Sequence, residues 1–161
     1  MMQSKQQKSG GEVDIRPMQP EDIPFATLIE HESFGESAWS ASALKAELER
    51  PDAVLLCARV NGEIAGYGGM RTVLDEGYVN DIAVLPVFRR QGVGLKLVEA
   101  LVDYARQKGL RFLTLEARAS NQSAIRLYER AGFQDVGIRR GFYDFPREDA
   151  RLMTIFLDEE C

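Results

Sequence analysis

The apolar positions of this chain follow two periods, one typical of helices and one typical of strands. Apolar residues three or four positions apart predict helices at 21–34, 41–50, 92–108 and 121–131. Runs rich in β-branched and aromatic residues predict strands at 13–18, 53–60, 63–74, 76–86, 111–117 and 133–140. The pattern therefore indicates two helices, then strands joined as hairpins, and then alternating strands and helices.

Local signals mark the ends of several elements. Ser40 is the expected N-cap of the second helix. Asn61-Gly62 between two apolar runs is a strong hairpin signal. Gly109 and Gly132 are expected to end the third and fourth helices, because glycine readily adopts the left-handed conformation found at such ends.

Three of the predicted helices have an apolar face at the spacing expected for burial. These faces comprise Ile23, Ala26, Leu28 and Ile29 in the first helix, Val93, Leu97, Ala100, Leu101 and Tyr104 in the third, and Ala124, Leu127, Tyr128 and Ala131 in the fourth. All of these residues are therefore expected to be buried.

The order of the elements predicts one α/β domain. Strand-helix-strand units that follow hairpins indicate a mixed sheet with helices on both faces. The domain is expected to span residues 13–161, because the polar, Gly- and Ser-containing residues 1–12 favour a flexible tail.

Composition narrows the class of function. The chain of 161 residues has 20 Lys and Arg against 25 Asp and Glu, a formal charge of −5, which argues against broad electrostatic binding of nucleic acid. One histidine, His31, leaves a zinc site without ligands. Cys57 and Cys161 are too few for a disulfide framework, so a reducing, cytoplasmic setting is predicted. No apolar run is long enough to span a membrane, which predicts a soluble protein.

The stretch RRQGVG, Arg89–Gly94, precedes the long third helix. A helix N-terminus offers free N–H groups, glycine lets a phosphate approach the backbone, and arginine adds charged donors. A phosphate-binding turn is therefore predicted, although glycine here could equally serve a tight corner. The dinucleotide fingerprint would need a glycine in place of Leu97, and a P-loop would need a lysine in place of Leu95.

The strand DIAVLP followed by FRRQGVG resembles the acetyl-coenzyme A site of the GNAT superfamily of N-acetyltransferases. A second segment, LEARASNQSAIRLYERAGF, also resembles the family, and the similarity runs from about Val13 to Leu157. The resemblance implies a single domain with a central, mostly antiparallel, twisted sheet, a splayed pair of strands and helices on both faces. It also implies acetyl-CoA as co-substrate, without a metal.

The resemblance further implies how acetyl-CoA is held. The turn would grip its diphosphate, the backbone of the preceding strand would pair with the pantetheine arm, and a strand N–H would donate to the thioester oxygen. Asn121 would also contact the cofactor, and it is an expected helix N-cap as well. The implied cofactor residues are Ile82, Ala83, Val84, Arg89, Arg90, Gln91, Gly92, Val93, Gly94, Leu95 and Asn121.

Acetyl transfer to an amine needs a base, because an α-amine with a pKa of about 7.7 to 8.0 is mostly protonated at neutral pH. The resemblance implies Glu116 as this base; from the sequence alone, Glu116 would be a solvated residue at a strand end. Tyr128, two helical turns after Asn121, is implied as the acid that protonates the departing thiolate. Packing in the core is the alternative for Tyr128.

The second segment is most similar to one branch of the family, the bacterial ribosomal-protein alanine N-acetyltransferases, as are AWS, VNDIAV and GFYDFPREDARLM. This branch implies that the acceptor is the N-terminal α-amine of a protein, a small-subunit ribosomal protein beginning with alanine. Trp39 and Tyr143 are candidate contacts to it, and neither nucleic acid nor membrane is an expected direct partner. Two alternatives remain: acetylation of a small-molecule amine or lysine side chain, and a non-catalytic acyl-CoA-binding module. The oligomeric state is not predicted.

Overall fold

The computed structural model describes residues 12–158. The strands are β1 (Val13–Pro17), β2 (Ala53–Val60), β3 (Glu63–Val73), β4 (Glu76–Val84), β5 (Phe112–Arg118), β6 (Gln134–Tyr143) and β7 (Glu148–Phe156). The α-helices are α1 (Ile23–Phe34), α2 (Ala41–Leu48), α3 (Val93–Gln107) and α4 (Gln122–Arg130). Residues 1–11 of the expected tail and Cys161 lie outside the described residues.

The strands form one sheet in the order β1-β2-β3-β4-β5-β7-β6. All neighbouring strands are antiparallel except β4 and β5, which are parallel. The α/β fold with a mostly antiparallel sheet is therefore confirmed. Strand β7 was not predicted, because its three charged residues Glu148, Asp149 and Arg151 obscure the pattern of a strand. These charges are accommodated by contacts with Arg118, the Gly141 N–H group and Asp135.

The expected splayed pair is formed by β4 and β5. The two strands pair only through Glu76–Tyr78 and Phe112–Thr114. Beyond these residues β4 continues along β3, whereas β5 pairs with β7 over its whole length. The sheet consequently opens between the C-terminal halves of β4 and β5.

A β-bulge lies in β4 where the opening begins. Gly69 of β3 pairs with Asp81 and Met70 pairs with Val79, so Asn80 is an extra residue in β4. The Asn80 amide lies 3.4 Å from Glu47 on α2, and the Asp81 carboxylate lies 3.4 Å from the Tyr67 hydroxyl. The bulge therefore turns two consecutive polar side chains towards the sheet face that α1 and α2 cover.

Helices pack on both faces of the sheet, as predicted. Residues of α1 and α2 form one buried cluster with Leu55, Cys57 and Tyr67 of the sheet. Residues of α3 and α4 pack in clusters on the opposite face. No helix within residues 12–158 combines the length and apolar character that a membrane span requires.

The predicted helix faces are partly correct. Ile23, Ala26, Ile29, Val93, Leu97, Leu101 and Tyr128 are buried as expected. Leu28 is 53% exposed, so its predicted burial is wrong. Glu30, two residues further along α1, is buried although it is charged. Some predicted residues of α3 and α4 are only half-buried and lie at the borders of the apolar faces: the three alanines, Tyr104 and Leu127. Four residues that were not predicted are buried in these faces: Val98, Val102, Ala105 and Ile125.

The predicted ends of the elements are confirmed at most positions. The Ser40 hydroxyl accepts a hydrogen bond of 3.1 Å from the Ala43 N–H group and caps α2. Both residues of the Asn61-Gly62 turn have positive φ, and Gly109 and Gly132 have φ of 74° and 106° beyond α3 and α4. The third helix is one residue shorter at each end than predicted, and β6 extends to Tyr143.

Candidate active site

A cleft of about 490 Å³ lies in the opening between β4 and β5. It is lined by residues of α1, the α1–α2 loop, β4, β5, α4 and the β6–β7 hairpin. Six of the residues singled out from the sequence meet there: Trp39, Ile82, Glu116, Asn121, Tyr128 and Tyr143. The turn at 89–95, Ala83 and Val84 are not part of this lining.

Glu116 projects into the cleft from β5. Its neighbours Leu115 and Ala117 are buried in the cluster that contains α3 and α4, so the alternation of a strand directs Glu116 to the other face. One carboxylate oxygen accepts a hydrogen bond of 2.9 Å from Arg139, and the side chain is 24% exposed. Glu116 is thus held by an ion pair that the sequence analysis did not foresee, and its other oxygen faces no protein donor among the described residues.

Tyr128 reaches the cleft from α4. Its side chain is buried, and its ring packs against Phe133 with 5.9 Å between the ring centroids. Burial is the main cause that raises the pKa of Tyr128 above its ordinary value, and the charge of Asp81 adds to this shift. Tyr128 therefore belongs both to the core and to the cleft, and it remains protonated at neutral pH.

Asn121 caps α4, as predicted. Its side-chain oxygen accepts a hydrogen bond of 3.2 Å from the Ala124 N–H group, which leaves its amide NH₂ group free of the cap. The preceding loop is fixed by Glu148, which accepts a 2.6 Å bond from the Ser120 N–H group and contacts Arg118. The bond from Ser120, and after it the contact with Arg118, lower the pKa of Glu148.

The turn before α3 has an open helix N-terminus. Gly92 has a φ of 82° and provides no side-chain cap, whereas Ser40 and Asn121 cap α2 and α4. A Cβ atom on Gly92 would meet no atom within 4 Å, so the space beside the helix end is free. Gly92 is needed for its backbone conformation, and Gly94, whose φ is not positive, is not.

The remaining residues of the turn have distinct settings. Arg89 donates to the Val84 carbonyl at 3.2 Å and Gln91 to the Val87 carbonyl at 3.3 Å, which ties the turn to the end of β4. Val93 is 1% exposed, so its side chain belongs to the core and is not available to a ligand. Arg90, with a φ of 65°, is exposed, and Leu95 is half-buried.

The edge of β4 that faces β5 has backbone groups without a strand partner. Residues 82–84 pair with Gly66–Gly68 of β3, and the pairing with β5 ends at Tyr78. The edge of residues 82–84 that faces β5 therefore has no strand partner within the described residues. An extended ligand could form hydrogen bonds along it.

Two aromatic side chains flank the opposite part of the cleft. Trp39 is half-buried, and its backbone N–H group donates to Glu30 at 2.8 Å. The Arg118 guanidinium lies 4.3 Å from the centroid of the Tyr143 ring. Both residues belong to loops or hairpins that only the folded chain brings together.

Three residues that were not predicted from the sequence form a polar group beside Trp39. Glu30 and Tyr67 are buried, and Asp81 is half-buried. The Tyr67 hydroxyl donates a short hydrogen bond to Glu30 and lies 3.4 Å from Asp81. Burial, followed by the neighbouring Glu30, raises the pKa of Asp81 to about 8. The signals in the sequence were an acid inside the strand VNDIAV and a glutamate beside Ile29 on the apolar face of α1.

Comparisons with known proteins identify the family of this chain. The model of the acetyltransferase (GNAT) family matches residues 22–133. A Bacillus subtilis (strain 168) protein with the provisional name ribosomal protein bS18-alanine N-acetyltransferase is 37% identical over 146 residues, or 90% of this chain and 96% of that protein. The crystal structure of the ribosomal-protein-S18-alanine N-acetyltransferase from Escherichia coli has a TM-score of 0.83 and 34% identity, and the match covers 93% of this chain and 97% of that chain.

The fold also recurs in a more distant structure. A Salmonella typhimurium protein solved with its cofactor acetyl-CoA has a TM-score of 0.81 at 22% identity, over 94% of this chain and 97% of that one. Since the family model spans most of the domain and the nearer relatives exceed 30% identity over nearly the whole chain, this protein belongs to the GNAT family of acetyltransferases.

Proposed function

We propose that this enzyme transfers the acetyl group of acetyl-CoA to the N-terminal α-amine of a protein, a small-subunit ribosomal protein beginning with alanine. The observation that carries the proposal is the similarity, over nine-tenths of the chain, to a relative named for this reaction. The cleft supports it, because it holds a carboxylate, Glu116, and a protonated phenol, Tyr128, at the opening between the splayed strands. An acyl-CoA-binding module without activity would need neither.

The protein offers acetyl-CoA a suitable site on the α3 side of the opening. The uncapped N-terminus of α3, the free space beside Gly92 and the exposed Arg90 suit a diphosphate. The unpaired edge of residues 82–84 suits the amide groups of the pantetheine arm. Acetyl-CoA supplies an acetyl group that is activated as a thioester.

Glu116 acts as the general base and Tyr128 as the general acid of the transfer. Glu116 takes a proton from the acceptor ammonium, so that its nitrogen can bond to the acetyl carbon. Tyr128 donates its hydroxyl proton to the sulfur as the carbon–sulfur bond breaks. The nitrogen loses a second proton, which restores the Tyr128 hydroxyl, and Glu116 releases the first to solvent.

The difference in pKa between Tyr128 and a thiol limits how Tyr128 can act as an acid. A thiol has a pKa of about 8.5, and the pKa of Tyr128 is raised above the ordinary value of about 10. Complete proton transfer from Tyr128 to the thiolate is therefore uphill by at least about 2 kcal/mol before the hydroxyl is reprotonated. The transfer from Tyr128 to the sulfur must therefore be coupled to the loss of the second proton from the nitrogen, which restores the Tyr128 hydroxyl.

The backbone of β4 would stabilise the charge that develops on the thioester oxygen. A free N–H group of residues 82–84 on the edge that faces β5 is a preorganised donor, and such a donor is worth roughly 3 to 4 kcal/mol in other acyl-transfer sites. Trp39 and Tyr143 would then border the first residues of the acceptor peptide from opposite sides.

An acetylation assay tests this function. The protein is incubated with acetyl-CoA and a peptide copied from the N-terminus of the ribosomal protein, and the position of the acetyl group is found by tandem mass spectrometry. The expected result is one acetyl group on the α-amine, and none on the same peptide with a blocked N-terminus. Acetylation of lysine side chains alone would overturn the proposal in favour of a lysine acetyltransferase, whose base must act on an amine with a pKa near 10.4.

A further inference from the structure

The β4 wall of the cleft has an acidic group of its own, which consists of Glu30 and Asp81 joined by the Tyr67 hydroxyl. Glu30 has no exposed surface, and it also accepts a hydrogen bond of 2.8 Å from the Trp39 N–H group. Both carboxyl groups line the same cleft as Glu116. They reach it from α1 and β4, whereas Glu116 belongs to β5.

This carboxyl pair lacks a cation. Neither Glu30 nor Asp81 forms an ion pair with any other described residue, although Glu116 pairs with Arg139. Burial first, and the neighbouring Glu30 second, raise the pKa of Asp81 to about 8, because no cation offsets negative charge at this place. Buried charges in proteins are normally paired, so a charge without a cation beside a cleft indicates a cationic ligand.

A second observation points into the same place. The Ser33 hydroxyl oxygen lines the cleft three residues after Glu30 on α1, is buried, and has no hydrogen-bond partner among residues 12–158. A buried hydroxyl without a partner costs about 1 to 3 kcal/mol, which a ligand could recover. The wall thus combines an unpaired charge with an unused hydrogen-bonding group.

We infer that Asp81, backed by the buried Glu30, binds the α-ammonium group of the acceptor and selects a charged N-terminus before acetyl transfer; this inference rests on the proposed function. The ammonium donates a hydrogen bond to the Asp81 carboxylate, and the residue that bears it lies between the β4 wall and Glu116. Stabilising the ammonium does not help to deprotonate it. The pair consequently contributes to binding, and the proton is removed by Glu116.

Substitutions on the two walls of the cleft should have different kinetic effects. Asp81→Asn keeps the shape of the side chain but replaces a carboxyl group, which can ionise beside a bound ammonium, by a neutral amide. It is expected to raise KM for the acceptor peptide roughly 10- to 100-fold, the usual range for a hydrogen bond to a charged group. The value of kcat is expected to stay level or rise, and KM for acetyl-CoA is expected to stay unchanged. A base would behave in the opposite way, because its loss lowers kcat.

The decisive experiment compares two peptides. One begins with alanine, and in the other the α-amino group of that alanine is replaced by hydrogen. Their dissociation constants are measured by calorimetry on the protein bound to coenzyme A, which has no acetyl group to transfer. The wild type should prefer the amine peptide, and Asp81→Asn should reduce that preference roughly 10-fold or more. Asp135→Asn, which removes one acid outside the cleft, serves as the control and should retain it.

Each outcome has a separate meaning. If the wild type acetylates the alanine peptide but Asp81→Asn retains the full preference for the amine, the inference is wrong and the proposed function stands. If the wild type fails to acetylate that peptide, both are wrong. Should Asp81→Asn not fold, Asp81→Ser provides the same comparison with a smaller neutral side chain.

Discussion

The two walls of the cleft present carboxyl groups in different electrostatic settings. On β5, Glu116 is partly exposed and pairs with Arg139 at 2.9 Å. On β4, Asp81 lies beside the fully buried Glu30, and this pair has no cation among the described residues. The charge of Glu116 is balanced within the protein, whereas the charge of the pair is not.

This difference indicates a division of labour. A carboxylate that is neutralised by its own arginine gains less from binding a second cation, and it retains an oxygen that can exchange protons. An unneutralised pair of acids, one fully buried and one half-buried, gains most from a cation. Two acidic groups on one cleft can therefore serve binding and proton transfer separately, as carboxyl groups in different environments do in other enzymes.

The largest expected effect comes from removing the β5 acid. Glu116→Gln keeps the size of the side chain but cannot accept a proton, so kcat should fall roughly 100- to 10,000-fold. The affinity for acetyl-CoA, measured by calorimetry, should remain within a factor of two or so, because the turn before α3 is untouched. Glu129→Gln, an exposed acid on α4, is the matched control. Unchanged turnover in Glu116→Gln would remove Glu116 from the mechanism.

The raised pKa of Asp81, on β4, should make the stability of the protein depend on pH. The pKa of Asp81 is raised from 3.8 to about 8, so between these values the native protein retains a proton that the unfolded chain has lost. The free energy of unfolding of the wild type should therefore fall as pH rises through this window, by roughly a few kcal/mol.

Asp81→Asn lacks this proton and should lose that part of the slope, so its advantage over the wild type should grow as pH rises. Urea unfolding at several pH values between 5 and 8, on the order of one unit apart, measures the difference. Parallel curves for the two proteins would contradict the raised pKa of Asp81.

Tyr128→Phe should have a moderate effect. The ring still packs against Phe133, so thermal stability should change little, but the sulfur loses its hydrogen-bond donor. We expect kcat to fall roughly 10- to 100-fold. Tyr104→Phe, on α3 outside the cleft, is the control and should keep full activity. Loss of activity in both variants would point to a packing defect instead.

The smallest expected effect lies at the turn before α3. Gly92→Ala forces a side chain into a positive-φ conformation at a cost of about 1 to 2 kcal/mol, and it places a methyl group where a phosphate would approach. Gly109→Ala, at the other end of α3, has a similar φ of 74° and equally open surroundings. Both should lower Tm alike, but only Gly92→Ala should raise KM for acetyl-CoA. Equal KM values would exclude the turn from cofactor binding.

Local sequence signals were sufficient for much of the fold. The cap at Ser40, the turn at Asn61-Gly62 and the left-handed Gly109 each depend on a few neighbouring residues, so their outcome is independent of the rest of the chain. The family resemblance likewise depended on two continuous segments, and the second of them contains both Glu116 and Tyr128. Strand β7 was missed because its charges are paired with residues of other elements.

The sequence by itself thus determined the class of the domain, the turn before α3 and the family, because each is written in contiguous residues. Only the tertiary structure decided the polar partners within the cleft. Glu30 and Tyr67 are 37 positions apart, and Glu116 and Arg139 are 23 apart. Such contacts depend on strand register, on the bulge at Asn80 and on where β4 and β5 separate, and the sheet must assemble before any of these is defined.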